Sequence, residues 1–373
     1  MTIGGGAPSV IVSGMIAGTP HQGGATWAVL QYLLGFRALG CDVHFVEPVG
    51  STNGDAYLAS VMTRFGLADR WALVTPDGDT RGLDRGALNA VADGADLLLN
   101  VSGMLVDQAV LDRVSVRAYL DLDPAFIQLW HEQGIDMRVD AHTHFVTISD
   151  AVGRPGGVIP HLGREWLVTL PPVVLDQWPI SDTIEHHALT SVGHWRGYGS
   201  ITHGELHLGQ RVHSVRTLFG FPGHSPVPVS VAYAVHPAET ADLAALAENG
   251  WTLLDPDTVA GDPVRFRRFV QGSWGEIAIA KSGYVLSRSG WFSDRSACYL
   301  ASGRPVIAQS TGFERRLPVG DGLLSFATVD EAAAAVGTVE SAYDEHRNAA
   351  RSLAEAHLDS DRVLRSLLNR LLT

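Results

Sequence analysis

Short apolar runs alternate along this chain with segments whose apolar positions recur at helical spacing. Ser9–Val10–Ile11–Val12–Ser13 is an apolar run ending in Gly14, the pattern of a buried parallel strand. After a loop, Trp27, Leu30, Gln31, Leu33, Leu34 and Leu39 follow at helical spacing, and Gly40 supplies a C-cap. Asp42–Glu47 then reads as a second strand, so the chain opens as a doubly wound α/β unit. Further strands are predicted over Asp96–Asn100, Arg117–Asp121, His144–Ile148 and Trp166–Thr169. Pro171–Pro172 and the stretch Asp176–Pro179 break the pattern and read as a linker. A second series follows. Its predicted strands are Leu189–Val192, Val227–Val235, Trp251–Leu254, Tyr284–Ser287 and Pro305–Gln309. Its predicted helices are Leu206–Phe219, Glu239–Asn249, Pro263–Gln271, Asp294–Ala301 and the Ala/Leu/Arg-rich region from Val329. The expected architecture is two doubly wound domains, residues 1–177 and 178–373, facing a cleft.

Length agrees with this division, since 373 residues suit two ordinary cores. Charge narrows the partners. The formal net charge is −13 and no Lys/Arg run occurs, which argues against a nucleic-acid-binding face. It does not exclude a nucleotide, because a few arginines and helix N-termini suffice to hold a diphosphate. Lys281 is the only lysine in the chain. Cys41 and Cys298 are far apart and suggest neither a disulfide framework nor a zinc site. No signal-peptide pattern opens the sequence, and no apolar run reaches the roughly 18–20 residues that cross a bilayer, so a cytoplasmic location without a membrane span is expected.

In parallel sheets ligands bind beyond the carboxyl ends of strands, and three such ends carry unusual residues. The first is the loop Gly18–Gly24, where Gly23 and Gly24 open a helix and expose backbone N–H groups. It is not a GxGxxG fingerprint, so a dinucleotide cofactor is unsupported. His21 in this loop is a candidate general base. The second is Asp121–Leu122–Asp123–Pro124. Asp121 is the candidate acid partner of His21, whereas Asp123 before Pro124 also suits the start of a helix. The third runs from Lys281 through Arg288 and Gly290 to Ser296. Ser293, Asp294, Arg295 and Ser296 fall at a predicted helix N-terminus suited to a diphosphate, with Arg295, Arg288 and Lys281 as cationic contacts. Arg196 could reach a phosphate, and Glu276 could accept from ribose hydroxyls.

The segment Trp291–Phe292–Ser293–Asp294–Arg295–Ser296, continuing through Leu300–Ala301–Ser302–Gly303–Arg304–Pro305–Val306–Ile307, resembles the donor-binding stretch of GT-B glycosyltransferases related to glycosyltransferase group 1. Gly312–Phe313, Leu317–Pro318 and Asp330–Glu331–Ala332 are similar to that family's distal segment, and Gly23–Gly24 to its acceptor-side glycine pair. The resemblance implies a GT-B fold of two Rossmann-like domains. The donor, a nucleoside diphosphate sugar such as a UDP-sugar, would lie on the C-terminal domain along Gly290–Ser296, and a small-molecule acceptor on the N-terminal domain near Gly23, Gly24 and Asp123. It implies neither metal nor bound cofactor, and terminal helices beyond about residue 340 that cross back to the first domain. Retaining members typically place glutamates at positions held here by Cys298 and Gly290. An inverting transfer with His21 as base is therefore expected. A homo-oligomer is compatible with the sequence.

Three rivals remain at this level: a nucleotide-sugar 2-epimerase on the same fold, a non-catalytic two-lobed binding protein, and a metal-dependent transferase using Asp121 and Asp123 as a DxD pair. The pairs His142/His144 and His186/His187 lack an apparent third metal ligand.

Overall fold

The computed structural model describes residues 7–50 and 54–373. The first domain is built on strands β1 (Ser9–Ser13), β2 (Asp42–Pro48), β3 (Trp71–Val74), β4 (Thr80–Gly82), β5 (Leu97–Val101), β6 (Arg117–Asp121), β7 (His144–Thr147) and β8 (Trp166–Val168). They form one sheet in the order β4-β3-β2-β1-β5-β6-β7-β8. Every pair is parallel except the edge pair β3–β4. The second domain contributes β9 (His186–His194), the antiparallel hairpin β10 (Ile201–His203) and β11 (Leu206–Leu208), then β12 (Val229–Ala234), β13 (Thr252–Leu253), β14 (Ser273–Ala278), β15 (Val306–Gln309) and β16 (Leu323–Phe326). Its six-stranded sheet is parallel throughout, in the order β13-β12-β9-β14-β15-β16. Strands buried on both faces explain the continuous apolar runs: Val10–Val12 and Leu97–Leu99 have no exposed surface. The fold is α/β, with two Rossmann-like domains.

Strand order reverses between β1 and β5 in the first sheet and between β9 and β14 in the second. Loops leaving the carboxyl ends at such switch points splay to opposite faces and leave a crevice between them. The loop to His21 leaves β1, and the segment to Lys281 leaves β14.

Two expected elements differ. Leu206–Phe219 is not one helix: Leu206–Leu208 pairs with Ile201–His203, and the helix is only Arg211–Thr217. Gly209 marks the break, where a Cβ would lie 2.4 Å from the His213 ring and 2.8 Å from Ser282 Oγ. Tyr284–Ser287 is not a strand either. Residues Ser282–Leu286 form a helical turn, and the central strand is Ser273–Ala278, masked in the sequence by Gly275 and Glu276. The helices Asp55–Arg64 and Arg85–Asp93 and the short strands β3, β4 and β16 were not anticipated.

The helix Gly23–Ala38 is buried almost all round. The last helix, Ser360–Leu371, packs against it where a Cβ on Gly35 would stand 2.5 Å from Leu364 Cδ1. Val173 N–H donates to Leu358 O at 2.8 Å, tying the chain's end to the first domain. The N-terminus of the same helix meets the second domain. A Cβ on Gly23 would lie 2.3 Å from the Asp262 carbonyl oxygen and 2.7 Å from that of Ala260, both rigid backbone, whereas one on Gly24 would lie 3.1 Å from the Phe266 ring. Gly23→Ala should therefore force the domains apart and cost about 2 kcal/mol or more in urea unfolding, with Gly24→Ala clearly milder. Equal effects would contradict this packing.

Candidate active site

β1 ends at Ser13, and the loop that follows is shaped from β2. Glu47 has no exposed surface, and its carboxylate accepts N–H bonds from Ile16 (2.9 Å), Ala17 (2.8 Å) and Gly18 (2.7 Å). These bonds curl the loop so that His21 follows in the left-handed region, φ 64°. Its exposed ring packs on Tyr57, centroids 5.1 Å apart. Gln22 Oε1 meets His194 Nε2 of the second domain at 3.0 Å.

β6 delivers the two aspartates to different places. Asp121 has no exposed surface, and its carboxylate accepts from Gln128 (2.7 Å), Thr147 (2.8 Å) and the Asp123 N–H (2.9 Å). Burial pushes this carboxyl up to about 7. It makes no hydrogen bond to His21, so the expected His21–Asp121 pairing is not formed. Asp123 reaches the cleft instead. Its Oδ1 accepts from Lys281 Nζ at 2.8 Å and from the hydroxyls of Tyr198 and Tyr284. The Lys281 ammonium also lies 3.8 Å from the centroid of the Tyr198 ring, and Trp291 stacks on Tyr284 at 4.6 Å. Burial alone would raise the Asp123 carboxyl. The Lys281 charge and the converging hydrogen bonds outweigh it and hold the group below the usual carboxylate range. Burial in turn lowers Lys281, with Asp123 acting against that shift.

The second domain supplies the cationic wall. Arg211, at the start of the helix Arg211–Thr217, is buried over the Tyr233 ring and donates to Ile279 O (3.0 Å) and His194 O (2.9 Å). Gly193 makes room for it, since a Cβ there would lie 2.1 Å from Arg211 Nη1. Among the described residues Arg211 has no carboxylate within ion-pair distance. Arg295 donates to Val192 O at 2.8 Å and pairs with fully buried Glu276, which raises its guanidinium above the usual value against the effect of burial. Ser293 caps the helix Asp294–Ala301, accepting the Arg295 N–H at 3.2 Å. Burial raises the Asp294 carboxyl, weakening the repulsion this side chain would offer an anion.

These walls enclose a cavity of about 480 Å³, within the size range of small-ligand sites. His21, Gly23, Gly24 and Asp123 line it from the first domain, and Arg211, Lys281, Trp291, Ser293, Asp294 and Arg295 from the second. Other sequence candidates lie elsewhere. Arg196 is exposed and paired with Glu239, and Glu276 lies beneath Arg295. Phe292 is in the core beside Phe313, and the Ser296 hydroxyl is buried without a partner. Gly290 is a turn residue at φ 77°, its N–H donating to Thr311 O. His142 is buried against Asn100, and among the described residues no group of three His, Cys, Asp or Glu side chains could hold a metal ion. Arg211 and Tyr198 were missed, Arg211 because its position fell inside the overlong predicted helix.

No protein-family model matches the sequence, and no curated protein does. Solved structures do match over nearly the whole chain. One alpha-glucosyltransferase (AGT) in complex with UDP superposes with a TM-score of 0.65 at 11% identity, covering 98% of this chain and 100% of the other. HepE from Anabaena, in complex with UDP and glucose, gives 0.59 at 13% identity over 98% and 99%. Sucrose-phosphate synthase from Thermosynechococcus elongatus gives 0.58 at 10% identity over 98% and 99%. The fold is therefore that of GT-B glycosyltransferases.

Two measurements test this electrostatic picture. Lys281→Met and Asp123→Asn should each destabilise by about 2 kcal/mol, a part-exposed pair being weaker than a fully buried one. The double variant should lose clearly less than the sum; additive losses in urea unfolding would show that the two groups do not interact. Asp121 binds its proton more tightly folded than unfolded, so the folded state holds more protons from about pH 4 to pH 7. Stability should fall as pH rises through that window and level off above it. The melting temperature of wild type relative to Asp121→Asn should drop by about 3 °C or more across it, and a flat difference would count against a protonated Asp121.

Proposed function

We propose that the chain is a glycosyltransferase that moves a sugar from a nucleoside diphosphate sugar, UDP being the first nucleotide to test, onto a small-molecule acceptor with inversion and without a metal. One observation carries the reading: a buried arginine without a carboxylate partner, Arg211, and a capped helix N-terminus face the same interdomain cavity at the sheets' switch points. The glycosyltransferase structures that share this fold hold UDP or UDP-glucose, which supports the same class of donor here.

The acceptor hydroxyl oxygen attacks the anomeric carbon as the bond from that carbon to the diphosphate oxygen breaks. The hydroxyl proton passes to a ring nitrogen of His21, which lines the cavity from the acceptor side. The diphosphate leaves carrying the bonding electron pair. Arg211, Arg295 and the free N–H groups at the start of the helix Asp294–Ala301 stabilise that charge, the role that metal ions play elsewhere. Asp123 and Lys281, locked together, form a polar shelf for sugar or acceptor hydroxyls rather than a DxD metal site.

Calorimetry with UDP, GDP, TDP and ADP, with and without EDTA, tests the donor site. One diphosphate should bind irrespective of EDTA, and Arg211→Gln should weaken it about tenfold or more. No binding of any of the four would sink the reading. His21→Ala should leave that affinity within a few-fold and lower turnover about 100-fold or more. Turnover within a few-fold of wild type would remove His21 as the base, and sugar epimerisation without acceptor would favour a 2-epimerase.

A further inference from the structure

The donor cleft adjoins a second hollow at His21, which lines both. This second hollow, about 600 Å³, lies between the helix Asp55–Arg64 of the first domain and the second domain's Gly261 and Asp262 with the first turn of the helix Pro263–Gly272. A third hollow, about 490 Å³, shares Ser60 and Arg64 with it and extends along the same helix. Together they make a trough running from the proposed base toward Arg64. Tyr57 touches His21, and Arg64 lies seven positions further on, about 10 Å along the helix.

The charges in this trough are unusual for a chain of net charge −13. Arg64 makes no hydrogen bond and no ion pair among the described residues, a state its side chain shares only with Arg288. The other arginines find a carboxylate or a carbonyl. Arg267, near it, also has no carboxylate partner and donates only to Gln177. Burial, and next the Arg64 charge, lower its guanidinium below the usual value. Arg265 completes the group. The one acid in the wall, Asp262, is already engaged: it caps the helix Pro263–Gly272 through the N–H groups of Val264 and Arg265 and pairs with the Arg265 side chain at 3.3 Å. Arg64, exposed at the far end of the trough, and Arg267, which lines the neighbouring hollow, are thus two adjacent cations without a carboxylate partner, a place where an anion can join them.

Resting on the glycosyltransferase reading, we infer that the trough is the acceptor subsite and that the acceptor is anionic, its phosphate or carboxylate held at Arg64 while its hydroxyl lies at His21. The placement is directional. An acceptor anchored at Arg64 runs along the helix and presents its other end to His21, where the trough opens into the donor cavity. Arg64 is then a specificity-determining residue, since a neutral analogue leaves its charge without a partner.

The test uses the full chain with UDP held at saturation. Glucose 6-phosphate, glucuronate and glucose are titrated by calorimetry, one ring carrying a phosphate, a carboxylate or neither. At least one charged probe should bind about tenfold more tightly than glucose. The stronger of the two identifies the anionic group. Arg64→Gln should abolish that preference, and the UDP affinity and melting temperature should stay unchanged, because the exposed side chain holds no bond among the described residues. Equal binding of all three probes, no binding of either charged probe, or an undiminished preference in Arg64→Gln overturns the inference while leaving the donor site standing. Failure of UDP itself to bind overturns the glycosyltransferase reading, and the acceptor assignment falls with it.

Discussion

The geometry of the cleft depends on one close approach of backbone to backbone. Gly23 sits against the carbonyls of Ala260 and Asp262 with no space for a side-chain atom. Immediately along the same helix, Trp27 donates its indole N–H to Pro263 O at 2.8 Å, and its ring packs against Trp178. One turn further, Gln31 accepts the Val174 N–H at 2.8 Å. A single helix of the first domain is thus welded to the second domain, the linker and the terminal helix, which explains why it lacks a polar face. On the other side of the cavity Asp150 pairs with Arg315, and Arg316 donates to Ile148 O and Thr169 O. These two seams hold the domains together, so the spacing of the cavity walls follows largely from packing between the domains.

An acidic protein can still present a positive site because its cations are spent unequally. Lys281 is neutralised by Asp123 and Arg295 by Glu276, leaving Arg211 as the charge that faces the cavity without a counter-charge. Pairing does not waste the other two. A guanidinium fixed by Glu276 and the Val192 carbonyl loses little further freedom when a ligand arrives, the condition for preorganised stabilisation of developing charge. The buried Asp294 carboxyl, raised by its surroundings, removes the most obvious local repulsion.

Much of this architecture was legible in the chain. The runs Ser9–Ser13 and Arg117–Asp121 are strands with those bounds, and the helix Asp294–Ala301 also has the bounds the pattern indicated, with Ser293 as its cap. The two-domain α/β plan and the placement of the Ser293–Arg295 segment at a helix start followed from the same periodicity. What periodicity cannot convey is where a polar side chain turns at a strand's end. The sequence favoured Asp121 as the functional acid and offered Asp123 as a helix start, yet an Asx-type bond from the Asp123 N–H to Asp121 Oδ1 goes with the opposite arrangement, Asp121 turned inward and Asp123 at the cleft. Gly23 looked like a residue bared for a ligand; it lines the cavity, and its missing side chain also admits the Asp262 and Ala260 carbonyls of the second domain. Glu47, at the end of an apolar strand before Pro48, carried a signal of its own: a carboxylate there needs buried donors, and the loop N–H groups are those donors. β14 was overlooked because a central strand holding Gly275 and Glu276 does not look like one, and Arg211 was hidden with the misassigned helix.

Glu47 also bears on how the proposed base is held. A histidine base is usually oriented by a carboxylate bonded to its second ring nitrogen, and Asp121 is too deeply engaged to serve. His21 is instead placed by its backbone: three N–H bonds to Glu47 fix Ile16 to Gly18, and the left-handed turn at position 21 aims the side chain between the donor cavity and the trough. The ring then rests on Tyr57, whose hydroxyl is itself fixed by Thr26 Oγ1 at 2.8 Å. Packing and backbone thus do the positioning that a carboxylate does elsewhere, and neither ring nitrogen makes a hydrogen bond among the described residues. Such a base can take a proton from whatever hydroxyl the trough presents, so selectivity for the acceptor must reside further along, in the side chains that line the trough.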